Sequence, residues 1–277
     1  MAIAMLAFGA NAKQKVQKTP AQQLIERLKT LQKRGVMFGH QDALFYGTTW
    51  KWEFGRSDVN DVCGDYPAVL GCELGGLELG NDKNLDGVPF DKMRQQIIAH
   101  HQKGGIVTIS WHTYNPVTGK DAWNTEGDAV TAVLPGGKEE AKMQLWHTRL
   151  AQFLGSLKDD KGHAVPVIFR PWHEMSGAWF WWGSKQCTPE QYKALFRLTF
   201  DAMMQAGLRN LVWSYSPNDR PTIRPNTIFS FTPETAMWMC LAWICISITA
   251  VRSSLSNAKT RCASCPSTPK ATTSCTL

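Results

Sequence analysis

The sequence predicts an α/β protein of the β/α-barrel type. Three observations support this fold class. The chain has 277 residues, which suits one barrel of about 250 residues. Short apolar segments alternate along it with longer amphipathic segments, as in repeated strand–helix units. Hydrophobic residues make up 43% and charged residues 19% of the composition, so the chain can bury a sizeable core and is not intrinsically disordered.

The predicted elements follow one another in a regular order. Strands are predicted at 36–40, 68–73, 106–112, 165–170 and 211–216, and helices at 19–34, 90–103, 138–157 and 189–206. Thr188 followed by Pro189 is typical of a helix start, and Gly207 is typical of a helix end. The repeated units favour parallel strands with right-handed crossovers, in a barrel rather than a doubly wound sheet.

The most informative stretch follows the fourth predicted strand. Residues 169–183 read FRPWHEMSGAWFWWG, so Arg170, His173, Glu174 and four tryptophans come directly after a buried apolar run. In a β/α barrel, active sites lie at the carboxyl ends of the strands. Indoles beside a carboxylate suit a pyranose, whose flat C–H faces pack on aromatic rings. The alternative is that the indoles only fill a hydrophobic layer, which would bury the polar groups without a role.

Polar residues also end the other predicted strands. These residues are His40, Gln41, Glu73, Trp111, His112 and the segment 216–219. Each one alone is a weak signal, because a single histidine at a strand end is more often structural than catalytic. Together they would line one rim of a barrel, and such convergence predicts a binding pocket.

Several other classes of function lack support in the sequence. Neither a GxGxxG nor a GxxxxGK[ST] fingerprint follows a predicted strand, and no cofactor is predicted. The net charge is +7, but subtracting the four cations Arg252, Lys259, Arg261 and Lys270 leaves +3 for the rest of the chain. The sequence contains no basic patch with interleaved aromatic residues, so no nucleic-acid partner is predicted. Cys262 and Cys265 form an isolated CxxC, so no metal site is predicted.

The motifs resemble those of a known family. FRPWHEMSGAWFWWG at 169–183, SWHTYNP at 110–116 and MFGHQD at 37–42 are together similar to glycoside hydrolase family 26, a family of β-mannanases. The resemblance covers about residues 35–219 and implies an eight-fold (β/α)8 barrel. It also implies retaining cleavage of internal β-1,4-mannosidic bonds in mannan, galactomannan or glucomannan.

The resemblance also implies roles for individual residues. Glu174 corresponds to the general acid/base, and His173 is its neighbour in the site. His112 and Trp179 correspond to sugar contacts, and Arg170 to support of the carboxylate network. This assignment agrees with the chemistry of a retaining glycosidase, which needs one carboxyl that protonates the leaving oxygen and a second that attacks the anomeric carbon.

The second carboxylate has no obvious position in this sequence. The family takes its nucleophile from the end of the seventh strand, roughly a hundred residues beyond the acid/base. No Asp or Glu follows Glu234, so the nucleophile is unknown, with Glu73, Glu78, Asp219 and Glu234 as the remaining candidates. We therefore expect a catalytic barrel at 13–234 that is incomplete at its C-terminus, and an anomalous, out-of-frame tail at 235–277. An inactive product that at most binds mannan is the alternative function.

The termini and the cysteines add expectations about location. Residues 1–12 are apolar and end in Ala10-Asn11-Ala12, which fits the remnant of a secretory signal. A secreted or periplasmic monomer is expected, with a disulfide within the set Cys63, Cys72 and Cys187. The apolar stretch 236–251 is shorter than the roughly 20 residues that span a bilayer, so no stable membrane span is expected.

Overall fold

A central sheet of six parallel strands organises the protein. The computed structural model describes residues 17–218, 230–233 and 240–241. Its strands are β1 (Gly39–Gln41), β2 (Val69–Glu73), β3 (Ile106–Trp111), β4 (Val167–Pro171), β5 (Leu211–Tyr215) and β6 (Cys240–Leu241). They lie side by side in chain order, and every neighbouring pair is parallel. Among the described residues β1 and β6 are the two edges, so the sheet is not closed.

Helices connect these strands. They are α1 (Pro20–Leu31), α2 (Asp58–Cys63), α3 (Phe90–Gln102), α4 (Ala129–Val133), α5 (Glu140–Gly155) and α6 (Pro189–Gln205), with a 3-10 turn at Leu77–Leu79. Both α1 and α6 begin with a capping box and a proline in the first turn, formed by Thr19 with Gln22 and by Thr188 with Gln191. These caps satisfy the free amides of the first turn, so the local sequence determines where both helices start.

The core lies mainly between the sheet and the outer helices. Apolar residues of β2 to β5 pack there against α3, α5 and α6 in one large cluster that includes Leu70, Ile109, Phe169 and Trp213. A second cluster joins Leu24, Ile25 and Leu28 of α1 to Ile106, Ile168 and Val212. Because those strand residues lie near the amino ends of β3, β4 and β5, α1 covers the end of the sheet opposite to the predicted rim.

Most predicted element boundaries agree with the structure to within two residues, and two predictions need correction. The predicted strand at 36–40 begins only at Gly39, where pairing with Val69 starts. Val36 is 96% and Phe38 60% exposed, because β1 pairs only with β2 in the described sheet and no second layer covers these side chains. The prediction also missed the short helices α2 and α4 and the two-residue strand β6.

Candidate active site

The turn after β4 positions the predicted site. Trp172 and Glu174 both have left-handed backbones, with φ of 52° and 55°, which is uncommon for residues other than glycine. Three hydrogen bonds hold the turn. The Tyr192 hydroxyl donates to the Trp172 carbonyl (2.9 Å), the Trp182 indole to the His173 carbonyl (2.9 Å), and the Glu174 amide to the Ser216 carbonyl (2.7 Å). The surrounding fold therefore determines where the Glu174 side chain emerges.

Glu174 lies at the carboxyl end of the sheet with its side chain partly exposed. The Trp179 indole donates a hydrogen bond to Glu174 Oε2 (3.1 Å). Gly177 permits this contact, since a Cβ there would lie 2.2 Å from the Trp179 ring. One carboxylate oxygen is thus held by an indole that is itself partly exposed, while the group stays open to the rim.

Arg170 lies on β4 beneath this turn. Its guanidinium donates to the Ser216 hydroxyl from Nε (3.3 Å) and Nη2 (3.1 Å). Burial lowers the pKa of Arg170 to about 10, although the charges of Glu174 and Glu73 act to raise it. The side chain therefore remains a cation at neutral pH and balances the two nearby carboxylates.

Glu73, at the end of β2, holds the neighbouring histidine. Its buried carboxylate accepts hydrogen bonds from the amides of Gly75 (2.6 Å) and His112 (2.7 Å), from the Ser110 hydroxyl and from His112 Nδ1 (2.7 Å). Burial alone would raise the pKa of Glu73, but His112 and the hydrogen bonds outweigh it and lower the pKa. Both oxygens are fully used as acceptors.

His112 and His173 form a direct pair. Their Nε2 atoms lie 2.9 Å apart, and the two rings meet edge to face. Burial acts to lower the pKa of His112, but the Glu73 carboxylate more than compensates, so the pKa is raised. The pKa of His173 is lowered well below its usual value, first by burial and then by the charges of His112 and Arg170. The two histidines of the pair therefore differ in proton affinity, and His112 is the more basic of the two.

An aromatic surface adjoins this pair and was missed in the sequence. Trp123 stacks on the His112 ring with 5.1 Å between centroids and an interplanar angle of 13°, and it is 50% exposed. Phe180 contacts His112, His173 and Trp123. A tryptophan within the polar loop 118–127 was the available signal, because loops seldom expose a large aromatic side chain without a role.

The structure brings Glu174, His112, His173, Arg170 and Trp179 together at one rim. It corrects the prediction for the other indoles of the motif. Trp172, Trp181 and Trp182 are at most 1% exposed and pack on one another, so they form a core layer. The core interpretation is right for three of the four indoles, and only Trp179 contacts the carboxylate.

Glu78 does not share the surroundings of Glu73. It is fully buried, and its carboxylate accepts from the amides of Gly76 (3.0 Å) and Tyr114 (2.8 Å) and from the Trp111 indole (3.0 Å). Burial raises the pKa of Glu78 and these bonds only partly offset it. The Glu78 carboxylate therefore holds the loop backbone at Gly76 and Tyr114. Asp219 and Glu234, the other two candidates for the nucleophile, lie outside the described residues.

Three further sequence expectations concern cysteines, metals and membranes. Cys63, Cys72 and Cys187 are all free thiols, so the expected disulfide among them is wrong. Within residues 17–218 and the two short described segments, no cluster of three or more His, Cys, Asp or Glu side chains could hold a metal ion. None of the helices described is both long and apolar enough to cross a bilayer. The tail at 242–277, which contains the isolated CxxC, lies outside the described part of the chain.

Comparison with known proteins identifies the family. The model of Glycosyl hydrolase family 26 matches residues 12–228. The chain belongs to glycosyl hydrolase family 26. The matched range is longer at both ends than the 35–219 expected from the motifs. The predicted β/α-barrel fold is confirmed by the parallel order of the described strands, among which the barrel is not closed, and by solved structures of the family.

Individual relatives are similar over most of this chain. A GH26 β-mannanase structure from Bacteroides ovatus is 41% identical with a TM-score of 0.78, over 81% of this chain and 66% of that one. An endo-β-1,4-mannanase structure from Cellulomonas fimi is 30% identical with a TM-score of 0.73, over 80% and 51%. A mannan endo-1,4-beta-mannosidase of Bifidobacterium adolescentis is 35% identical over 70% of this chain.

This chain matches only part of each relative's length. The matched region covers 20% of the Bifidobacterium protein and 46% of a mannan endo-1,4-beta-mannosidase of Bacillus subtilis. The family match at 12–228 includes β1 to β5 and the turn after β4. The family is therefore established, whereas the activity, substrate and partners of the whole protein are inferences.

Proposed function

We propose that this chain carries the site of a retaining endo-β-1,4-mannanase, with Glu174 as its acid/base. The supporting observation is the position of Glu174, on a fixed turn at the carboxyl rim, hydrogen bonded to Trp179. Membership of family 26 supports the reaction class, and the names of the relatives support the substrate. The proposed substrate is mannan, galactomannan or glucomannan, bound by a monomeric secreted or periplasmic protein.

The surroundings of Glu174 suit an acid that becomes a base. When Glu174 protonates the leaving oxygen it gains a negative charge, and the Arg170 guanidinium stabilises that charge. His112, whose pKa is raised, also interacts with Glu174. The same carboxylate can then take a proton from the water that completes hydrolysis. The faces of Trp123 and Trp179 provide surfaces for the C–H faces of pyranose rings.

The test of this assignment is the variant Glu174→Gln. We expect a loss of about 10²- to 10⁴-fold in kcat on manno-oligosaccharides, which need protonation of the leaving group. An aryl mannobioside with an acidic phenol leaving group needs little protonation, so its cleavage should fall far less in the first step. Glu78→Gln is the control, since the Glu78 carboxylate, unlike that of Glu174, is fully buried and is hydrogen bonded by Gly76, Tyr114 and Trp111. Equal losses on both substrates would contradict an acid/base role.

A second candidate function is non-catalytic binding of mannan. The absence of any Asp or Glu in 235–277 favours it, and so does the complete hydrogen bonding of Glu73 and Glu78, the two buried glutamates near the rim. This candidate predicts binding of manno-oligosaccharides without turnover. Isothermal titration calorimetry measures the binding and a reducing-sugar assay measures the turnover, so together they separate the binding function from the mannanase function.

Azide distinguishes the two candidates chemically. If a nucleophile is lacking, azide can attack the anomeric carbon of an activated aryl β-mannobioside directly, forming the C–N bond as the aryl oxide leaves, and the product is the α-azide. If a nucleophile is present and only Glu174 is replaced by Ala, azide attacks the covalent intermediate and gives the β-azide. The anomer of the azide product, identified by NMR, therefore shows whether the chain has a nucleophile. No azide product in either case would leave binding as the function.

The location and the oligomeric state need separate tests. Fractionation of the source cells, with N-terminal sequencing of the exported form, tests the signal at 1–12. Light scattering measures the molar mass in solution and so tests the proposed monomeric state. The proposed division into a signal remnant, a catalytic region at 13–234 and a separate tail at 235–277 predicts that limited proteolysis removes the tail first.

A further inference from the structure

Glu73 is the carboxylate at the rim that the proposed reaction does not use. It is 3% exposed and lies at the end of β2, next to β3 in the sheet. All four of its contacts are with donors, and two of them come from His112, through the backbone amide and Nδ1. A group that only accepts hydrogen bonds is best satisfied as an ionised carboxylate. This inference rests on the proposed function, because it assigns Glu73 a role around Glu174.

The hydrogen-bond geometry restricts where the protons can lie. Nδ1 of His112 must carry hydrogen, since it faces Glu73 Oε2 at 2.7 Å. The Nε2 atoms of His112 and His173 are 2.9 Å apart, so one of them carries a hydrogen and the other accepts it. With His112 as an imidazolium, its Nε2–H donates and His173 accepts. His173 then carries its hydrogen on Nδ1, which has no partner in good hydrogen-bond geometry among the described residues, although the Arg170 backbone interacts with the ring.

The charges around His112 favour this arrangement. Glu73 faces it from β2, and Asp86 from the loop before α3 also interacts with it. Glu174 adds a third negative charge once it has given up its proton, while Arg170 on β4 opposes the cation. Trp123 and Phe180 cover the remaining sides with aromatic rings. Three carboxylates against one guanidinium favour the imidazolium, and only Glu73 is hydrogen bonded to it.

We propose that Glu73 is a positioning residue that keeps His112 a cation, with its Nε2–H directed at a neutral His173. The pair then presents a fixed positive charge beside Glu174, which offsets the negative charge that Glu174 acquires when it gives up its proton. Glu73 is accordingly not the nucleophile. It acts through His112 and does not touch the substrate.

Glu78 provides a matched comparison within the same segment. It is buried to a similar degree and accepts three hydrogen bonds, but none of its partners is a cation. If burial and loop packing alone mattered, Glu73→Gln and Glu78→Gln would affect the histidines equally. The proposal requires that only the first variant does.

The test is a titration of the histidines by NMR on the ¹⁵N-histidine-labelled full chain, without substrate. In the unmodified protein His112 should be protonated on both nitrogens at pH 7 and His173 on one. In Glu73→Gln, burial and Arg170 act without the opposing carboxylate, so the proton affinity of His112 should fall at least about tenfold. Glu78→Gln should leave it within about twofold, and Glu73→Asp should restore part of the loss because the charge remains.

Two results would overturn the proposal. One is a His112 that is neutral at pH 7 in the unmodified protein, a measurement that needs no variant to fold. The other is an equal fall of proton affinity in Glu73→Gln and Glu78→Gln, with circular dichroism showing that both are folded. Neither result depends on hydrolysis. An inactive chain with a cationic His112 would refute the proposed function and leave the role of Glu73 intact, and an active chain with a neutral His112 would do the reverse.

Discussion

The turn after β4 and the turn after β1 both contain left-handed backbone, but their polar groups are satisfied to different degrees. Both follow a parallel strand at the carboxyl rim, and both use left-handed backbone at residues other than glycine, Trp172 and Glu174 in one and Asp42 in the other. In the turn after β4, side-chain donors satisfy the carbonyls of Trp172 and His173. Strained backbone of this kind persists only where its surroundings hold it.

The turn after β1 is less completely satisfied. Asp42 is 1% exposed, and its Oδ2 accepts from the Tyr46 hydroxyl at 3.1 Å. Its Oδ1 has no partner in good hydrogen-bond geometry among the described residues, although the Gln41 amide lies close to the carboxyl. The difference follows from position. β4 has neighbours on both sides, and its turn receives donors from α6 and from its own loop. β1 has only β2 beside it in the described sheet.

The largest expected effect comes from breaking the support of the turn after β4. Trp182 is fully buried, stacks on Phe180 with 4.5 Å between centroids, and donates to the His173 carbonyl. Trp182→Ala should therefore lower the free energy of unfolding by about 3–5 kcal/mol. Urea denaturation measures this loss. Trp182→Phe keeps most of the ring and removes the donor, so it should cost about 1–3 kcal/mol. A negligible cost for Trp182→Phe would mean that the hydrogen bond does not matter.

The second effect tests the turn after β1 through pH. Burial raises the pKa of Asp42 from 3.8 to about 7, with the charges of Asp86 and Glu73 adding to it. The folded protein therefore keeps a proton that the unfolded chain releases, and stability falls as pH rises from about 4 to 7, by up to roughly 4 kcal/mol. Asp42→Asn should remove this loss and be more stable than the unmodified protein at pH 8.

The control for this prediction is Asp58→Asn. The Trp50 indole and the Thr48 backbone amide donate to Asp58 and lower its pKa, so this variant should not gain stability at alkaline pH. Thermal denaturation at pH 5 and pH 8 compares both variants with the unmodified protein. A stability of Asp42→Asn that runs parallel to that of the unmodified protein across this range would contradict a buried, protonated Asp42.

A smaller effect is expected at Thr199, which contacts the Trp172 side chain of the turn after β4. The Thr199 hydroxyl accepts from the Trp172 indole and from His147 Nε2, each at 3.0 Å, and donates to the Leu195 carbonyl. Burial lowers the pKa of His147 to about 4, so His147 is a neutral donor. Thr199→Val leaves two buried donors without an acceptor and should cost about 1–3 kcal/mol. Thr199→Ser, which keeps the hydroxyl, should recover part of this in the same denaturation assay.

The smallest effect concerns the single side-chain donor of the turn after β1. Tyr46→Phe removes the hydrogen bond to Asp42 Oδ2 and should cost about 0.5–1.5 kcal/mol at neutral pH. That bond lowers the pKa of Asp42, so its loss should also move the pH-dependent fall in stability to higher pH. An unchanged pH profile would show that the hydroxyl does not interact with the carboxylate.

The sequence was sufficient for the parallel order of the strands and for the bounds of most elements. Continuous apolar runs at β2 to β5 predicted strands buried on both faces, and the capping residues Thr19 and Thr188 set the starts of α1 and α6. Arg170, His173 and Glu174 were predicted at the end of the fourth strand, and they lie in β4 and in the turn after it. These inferences succeed because they depend on periodicity and capping, which are properties of local sequence.

The contacts of individual side chains could not be read from the sequence. It did not show that Trp172, Trp181 and Trp182 lie in the core while Trp179 reaches Glu174, since four indoles within eleven residues share the same local signal. Trp123 is far from the motif in sequence and reaches His112 only because its loop returns over the rim. Such contacts depend on the path of whole loops, which hydrophobic patterning does not encode.

The sequence by itself determined which chemical groups stand at the carboxyl ends of the strands, because apolar strands and polar strand ends are local patterns. Only the tertiary structure decided which of those groups are charged and how they are paired. Glu73 and Glu78 are five positions apart and equally acidic in isolation, yet His112 lowers the pKa of one and burial raises that of the other. The physical reason is that the charge state of a buried group depends on its neighbours in space, and the fold supplies those neighbours.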